Sequence, residues 1–123
     1  MSLTLDDNHA QYQIRAFQPG SIQINDQIYH ASVIVSPSKL ITDWTPQTIN
    51  ELKNEHLKVI MEIHPTILLI GTGKSLQFPP IDCYGDLINA GIGVEIMDTG
   101  AACRTYTILT AEDRNVIAAL IIR

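Results

Sequence analysis

The run Gly71-Thr72-Gly73-Lys74-Ser75 carries the residue types of a phosphate-binding loop, with small glycines ahead of a lysine and a hydroxyl. A loop of that kind needs a further glycine five residues before Gly73, so that its backbone amides can wrap the phosphate. That position is Leu68, and Pro79 and Pro80 stand where the following helix should already be running. The spacing therefore argues against nucleotide chemistry. Two readings of the glycines remain. They make a sharp turn that lets a strand and a neighbouring helix approach closely, or they form a ligand loop at the carboxyl end of a strand.

A second cluster follows at Glu95, Asp98, Thr99 and Arg104. Asp98 or Thr99 suits a helix N-cap before Gly100, Ala101 and Ala102. Arg104 sits among small and apolar residues, so its guanidinium either pairs with a carboxylate such as Glu95 or reaches into a crevice. The Glu95–Arg104 ion pair is the preferred expectation. On the ligand reading, Gly71, Thr72, Gly73, Asp98, Thr99 and Arg104 surround one crevice at the ends of adjacent strands. His9, His30, His56 and His64 lack metal-ligand spacing, and Cys83 and Cys103 make no Cys-x-x-Cys pair. No metal site and no cofactor are expected. There is no Gly-x-Ser-x-Gly elbow. Cys103, in the second turn of its helix, is open to mild acidification, although packing is the preferred reading. No catalytic residue is assigned.

The elements that must position these groups are legible in the periodicity. Tyr12–Phe17, Ser21–Ile24 and Gln27–Val35 are extended runs separated by Pro19-Gly20 and Asn25-Asp26, which predicts an antiparallel meander. Lys39–Trp44 reads as an irregular crossing anchored by the single tryptophan, and Thr45-Pro46 as the start of a short helical turn. A helix from Asn54 ends at His64-Pro65. Thr66–Ile70 is a continuous apolar run, as in a strand covered on both faces. Pro80 opens a second helix through Asn89, with Gly91 as its C′ residue. Ile92, Val94 and Ile96 mark a strand, and Ala102, Thr105, Tyr106 and Leu109 form the inward stripe of a third helix from Thr99. Asn115–Ile122 is a last buried strand, placed after so short a turn that an antiparallel arrival is open. The order predicts an α/β fold: a three-layer single domain over residues 1–123, with a central mixed β-sheet, an N-terminal antiparallel meander and about three helices.

Composition narrows the function classes. The chain of 123 residues is 46% hydrophobic and carries a net charge of -5, which disfavours nucleic acid or an anionic membrane surface as a partner. Its opening carries Asp6 and Asp7 and no basic cluster, unlike a secretory or transit peptide. The longest apolar run, Ile117–Ile122, is far below the roughly 20 residues that span a bilayer. A reducing bacterial cytoplasm is the expected location, with both cysteines as thiols and no direct membrane insertion.

Ile70-Gly71-Thr72-Gly73, Phe78-Pro79, the run from Gly91 to Tyr106 and the Glu112/Arg114 turn together resemble a small domain-of-unknown-function family. That family includes the mitochondrial NADH dehydrogenase (complex I) assembly factor 3 and the adipogenesis-associated domain proteins. The likeness extends more weakly through Gly20, Tyr29, residues 32–35, Pro37 and Trp44, and where the family continues Arg-Thr-Tyr with Asn this chain has Thr107. It implies a three-layer fold and no established catalytic residues. Two functional expectations follow. One is a non-enzymatic assembly or interaction factor whose partner is a membrane-complex subunit or a second copy of the chain. The other is a small-ligand-binding domain or enzyme built on the Gly71–Gly73 and Asp98–Arg104 crevice.

Overall fold

A computed structural model describes residues 8–123. Of the loose polar start expected through Gln11, residues 1–7 lie outside that range, whereas Asn8 is anchored, its Nδ2 donating to Thr110 Oγ1 at 2.8 Å. The antiparallel meander is present as β1 (Ile14–Gln18), β2 (Ser21–Ile24) and β3 (Gln27–Tyr29), in that spatial order. The expected third run breaks at His30–Ser32. Its second half, β4 (Val33–Val35), belongs to a different sheet. Trp44 N donates to Ser32 O at 2.9 Å, which fixes the chain where it changes sheets.

The second sheet has five strands in the order β5-β4-β8-β6-β7, where β5 is Leu40–Ile41, β6 Ile67–Gly71, β7 Gly93–Met97 and β8 Val116–Leu120. It is mixed. β6 pairs in parallel with both β7 and β8, and β4 pairs antiparallel with β8 and β5. The last strand is thus parallel to one neighbour and antiparallel to the other. A helix of 13 residues precedes it and carries the chain back along the sheet by about 20 Å at 1.5 Å per residue. Even a short turn then re-enters at the starting end of β6.

Alternation divides two cores. Val116, Ala118 and Leu120 of β8, with Leu69 and Val33, face one side. Ile117, Ala119, Leu68, Ile70 and Ile34 face the other. The first side is covered by α3 (Thr99–Ala111) and by Ile14, Ile22 and Ile24 of the small sheet. The second is covered by α1 (Lys58–Ile63), α2 (Gly85–Asn89) and the segment holding Trp44, Ile49 and Leu52. The result is three layers.

Local departures have local causes. The helix expected from Asn54 begins as a 3₁₀ turn over Asn54–Leu57 and becomes α only at Lys58. His64 ends it in the left-handed region at φ 54. The helix expected from Pro80 is interrupted at Tyr84, giving a 3₁₀ turn, Ile81–Cys83, before α2. The turn expected at Thr45-Pro46 forms later, at Ile49–Glu51. Trp44 is 6% exposed and donates from Nε1 to His56 O at 3.1 Å, the anchor its composition suggests.

Candidate functional site

The chemistry-bearing residues converge on the first turns of α3. Asp98 is the N-cap, its Oδ1 accepting from Ala101 N at 2.9 Å. Thr99 is fully buried and its hydroxyl is saturated: Oγ1 accepts from Gly73 N at 2.8 Å and donates to Ile121 O at 2.6 Å. Thr99 N in turn donates to Gly73 O at 3.0 Å. Three segments, the end of β6, the start of α3 and the exit of β8, are thereby stitched together by one side chain.

Both glycines are required by this closeness. A Cβ on Gly71 would sit 2.8 Å from Thr99 Oγ1 and 2.9 Å from Leu120 Cδ2. One on Gly73, at φ +106, would sit 2.6 Å from Arg123 O. Thr72 is 4% exposed, donates from Oγ1 to Ser75 O at 2.8 Å and accepts from Gln77 N. These contacts are those of a sharp, close-packed turn. Gly71, Thr72, Gly73, Asp98 and Thr99 do come together, but the hydroxyls of Thr72 and Thr99 point into the chain's own backbone.

Arg104 approaches this cluster at Gly100, where a Cβ would lie 3.4 Å from Asp98 Oδ1 and 3.5 Å from Arg104 Nη1. It lines an open groove of about 540 Å³ between β1 and α3, together with Arg15, Ile14, Phe17, Gly100 and Ile108. The expected Glu95–Arg104 ion pair is absent: both residues are exposed, and the one ion pair among the described residues is Arg114–Glu112 at 4.0 Å. The reason is the placement of α3. The helix packs chiefly over β6 and β8, with Arg104 on its flank toward β1. Glu95 is on β7 at the opposite edge of the sheet. The helix residue that reaches β7 is Thr105, whose hydroxyl donates to Met97 Sδ at 3.5 Å.

Cys103 also lines this groove but is 6% exposed. Burial pushes its thiol up to about 12, against a smaller lowering by Arg104. The mild acidification open to a cysteine near a helix start is therefore overridden by desolvation. Burial likewise raises the Tyr106 phenol, whose OH donates to Tyr12 O at 2.8 Å. Cys83 is raised by burial and by Asp82. The two cysteines occupy the two cores on opposite faces of the sheet. Among the described residues no group of three or more His, Cys, Asp or Glu is placed to hold a metal ion.

Sequence reasoning missed Arg15 and Phe17 as partners of Arg104. β1 pairs Ile14 with Ile24 and Ala16 with Gln23, so Arg15 is the extra residue of a bulge, and nothing in the run Ile14–Phe17 announces one. It also missed an exposed apolar segment. Between β6 and β7, Leu76 is 50% exposed, Phe78 72%, Ile81 58% and Ile88 46%. Their signal was present in composition, as large apolar residues among the prolines of a loop.

The family described as "protein of unknown function (DUF498/DUF598)" matches residues 14–121. The chain belongs to this family. It is 30% identical over 122 residues to the 13 kDa major membrane protein of Francisella tularensis subsp. holarctica (strain LVS), covering 97% of this chain and 99% of that one. It is 29% identical over 110 residues to NADH dehydrogenase [ubiquinone] 1 alpha subcomplex assembly factor 3 of Danio rerio, covering 88% of this chain and 63% of that protein. A crystal structure of a Bordetella parapertussis protein superposes with a TM-score of 0.86 at 31% identity, over 93% of this chain and 98% of the other. The family resemblance carried by Gly71–Gly73 and Gly91–Tyr106 thus holds, and with it the three-layer architecture. Among the described residues no helix is long and apolar enough to cross a membrane.

Proposed function

We propose that this member of the DUF498/DUF598 family is a non-enzymatic assembly or interaction factor that docks on a subunit of a membrane complex, a respiratory complex foremost, from the cytoplasmic side. The observation that carries the reading is the segment from Leu76 to Ile88. It presents four large apolar side chains, each at least 46% exposed, including a phenylalanine at 72%. Single exposed apolar residues are ordinary, and four of them within residues 76–88 favour a surface that another protein covers. The absence of a complete catalytic motif and the buried, proton-holding state of Cys103 support a binding role over chemistry. The names of two relatives, an assembly factor and a major membrane protein, support the same direction.

The test is affinity purification of the tagged chain from its own host at native level, with mass spectrometry of what co-purifies, beside the double variant Leu76→Ser/Phe78→Ser. Membrane-complex subunits recovered with the wild type and lost with the variant are expected. Recovery that is equal for both proteins, or none with either, would overturn the reading. Light scattering of the purified protein separates the remaining outcome, a homodimer through the same residues, which the variant would dissociate.

A further inference from the structure

The groove between β1 and α3 lies away from the Leu76–Ile88 segment in sequence and has a different chemistry. Two of the chain's four arginines, Arg15 and Arg104, line it, in a protein whose net charge is -5. Neither has an ion-pair partner among the described residues, and Asp98, the acid at the start of the same helix, is engaged in capping Ala101 N. The two guanidiniums repel each other, and the Asp98 carboxylate near the groove floor, its Oδ1 3.4 Å from the Cβ position on Gly100, forms an ion pair with neither. An anion that bridges them relieves that repulsion.

Two features of the fold keep the arrangement in place. The bulge in β1 inserts Arg15 as an unpaired residue between Ile14 and Ala16, and bulges re-aim side chains in this way. Gly100 leaves the groove floor open: a Cβ there would come within 3.4 Å of Asp98 Oδ1, 3.5 Å of Arg104 Nη1 and 3.9 Å of Phe17 Cδ2. The rest of the lining is mostly apolar, from Ile14, Phe17 and the 53% exposed Ile108, with the Thr107 hydroxyl turned back onto Cys103 O. Its volume of about 540 Å³ falls within the range of roughly 300–1,000 Å³ that small-molecule sites occupy. A concavity of that size suits a compact ligand better than a flat protein surface.

The geometry points to a binding site for a small amphiphilic anion, with a carboxylate or phosphate head held between Arg15 and Arg104 and an apolar body lying on Ile14, Phe17 and Ile108. Both heads offer the bidentate oxygens that a guanidinium fork matches. The apolar body contributes the rest of the affinity by burial against the groove wall.

Isothermal titration calorimetry of the whole chain, below the micellar range, tests this with decanoate, decyl phosphate, decanol and inorganic phosphate. Saturable 1:1 binding of decanoate or decyl phosphate is expected, and the tighter of the two identifies the head group. Decanol and inorganic phosphate should each bind at least about tenfold more weakly, since each lacks half of the recognition. Arg104→Ala should weaken the anion by about tenfold and Arg15→Ala/Arg104→Ala by about a hundredfold. Both arginines are exposed, so the variants should melt as the wild type does. Gly100→Leu fills the groove with both arginines retained and should also abolish binding. Absence of saturable binding, decanol as tight as the anions, or a double variant that loses less than about tenfold would each overturn the proposal.

Discussion

Replacing Gly71 with alanine puts one methyl group where the structure has no room for it. The new Cβ would lie 2.8 Å from Thr99 Oγ1, 2.9 Å from Leu120 Cδ2 and 3.1 Å from Thr99 Cα. The last contact is backbone, so rotating one side chain cannot relieve all three. Overpacking of this kind costs about 1–3 kcal/mol. Pushing α3 away from β6 also stretches the bonds that Thr99 Oγ1 makes to Gly73 N and Ile121 O, each worth about 0.5–1.5 kcal/mol. The sum is about 2–6 kcal/mol, a large share of the roughly 5–15 kcal/mol by which domains of this size are stable. In thermal melts followed by circular dichroism this is a fall of roughly 8–24 °C at about 4 °C per kcal/mol. Gly85→Ala is the control. Its Cβ would meet only Ile81 Cγ1 at 3.6 Å, an ordinary contact, and the change from glycine favours the helix by up to about 1 kcal/mol. A Gly71→Ala protein that melts within about 2 °C of wild type would refute the close-approach argument.

Further outcomes follow from the same contacts. Thr99→Val keeps the shape of the side chain but orphans Gly73 N and Ile121 O, so urea denaturation should show a loss of about 2–4 kcal/mol with an unchanged m-value. Cys103 has its proton held up to about 12 in the folded state against an ordinary 9.0. Above pH 9 the unfolded chain releases that proton and the native one keeps it. Stability from this group is therefore fully present below pH 9 and falls by about 1.4 kcal/mol per unit between pH 9 and 12. Cys103→Ala should flatten that alkaline slope in denaturation midpoints measured across the range, and an unchanged slope would remove burial of the thiol as its cause.

The sheet elements were legible from two patterns, alternation as at Ile92, Val94 and Ile96 and continuous apolar runs in two interior strands. Ile67–Gly71 and Val116–Leu120 are apolar on both faces and are the two interior strands flanked by parallel or mixed partners. The N-cap at Asp98 and the C′ glycine at Gly91, with φ +89, were readable because each position permits few residue types. The break between β3 and β4 was not, because residues 27–35 read as one run rich in β-branched residues, and it is strand pairing and the hydrogen bond from Trp44 to Ser32 that show where the chain leaves one sheet for the other. The interruption at Tyr84 was hidden for a similar reason: Pro80 suits the first turn of either helix type.

The site residues divide along the same line. Asp98, Thr99 and the Gly71–Gly73 turn come together because strand, turn and helix are consecutive or adjacent in the βαβ order. Arg104 stood out as the one charged residue of its helix, but its neighbour could not be guessed. Arg15 is 89 positions earlier in the numbering, and its direction depends on a bulge set by pairing with β2 rather than by its own segment. Charge alone favoured Glu95 as its partner. The position of α3 over β6 and β8 put the two on opposite flanks.

The proposed role in assembling a membrane complex rests on the exposed Leu76–Ile88 segment. The most direct measurement is the amount of assembled respiratory complex in membranes of its own host, resolved on native gels, in cells lacking the chain and in cells given back either the wild type or Leu76→Ser/Phe78→Ser. Loss of the chain should lower the mature complex with accumulation of subassemblies, restored by the wild type and not by the double variant, with both proteins present at equal levels. Complex assembled to the same extent in the presence and absence of the chain would contradict it.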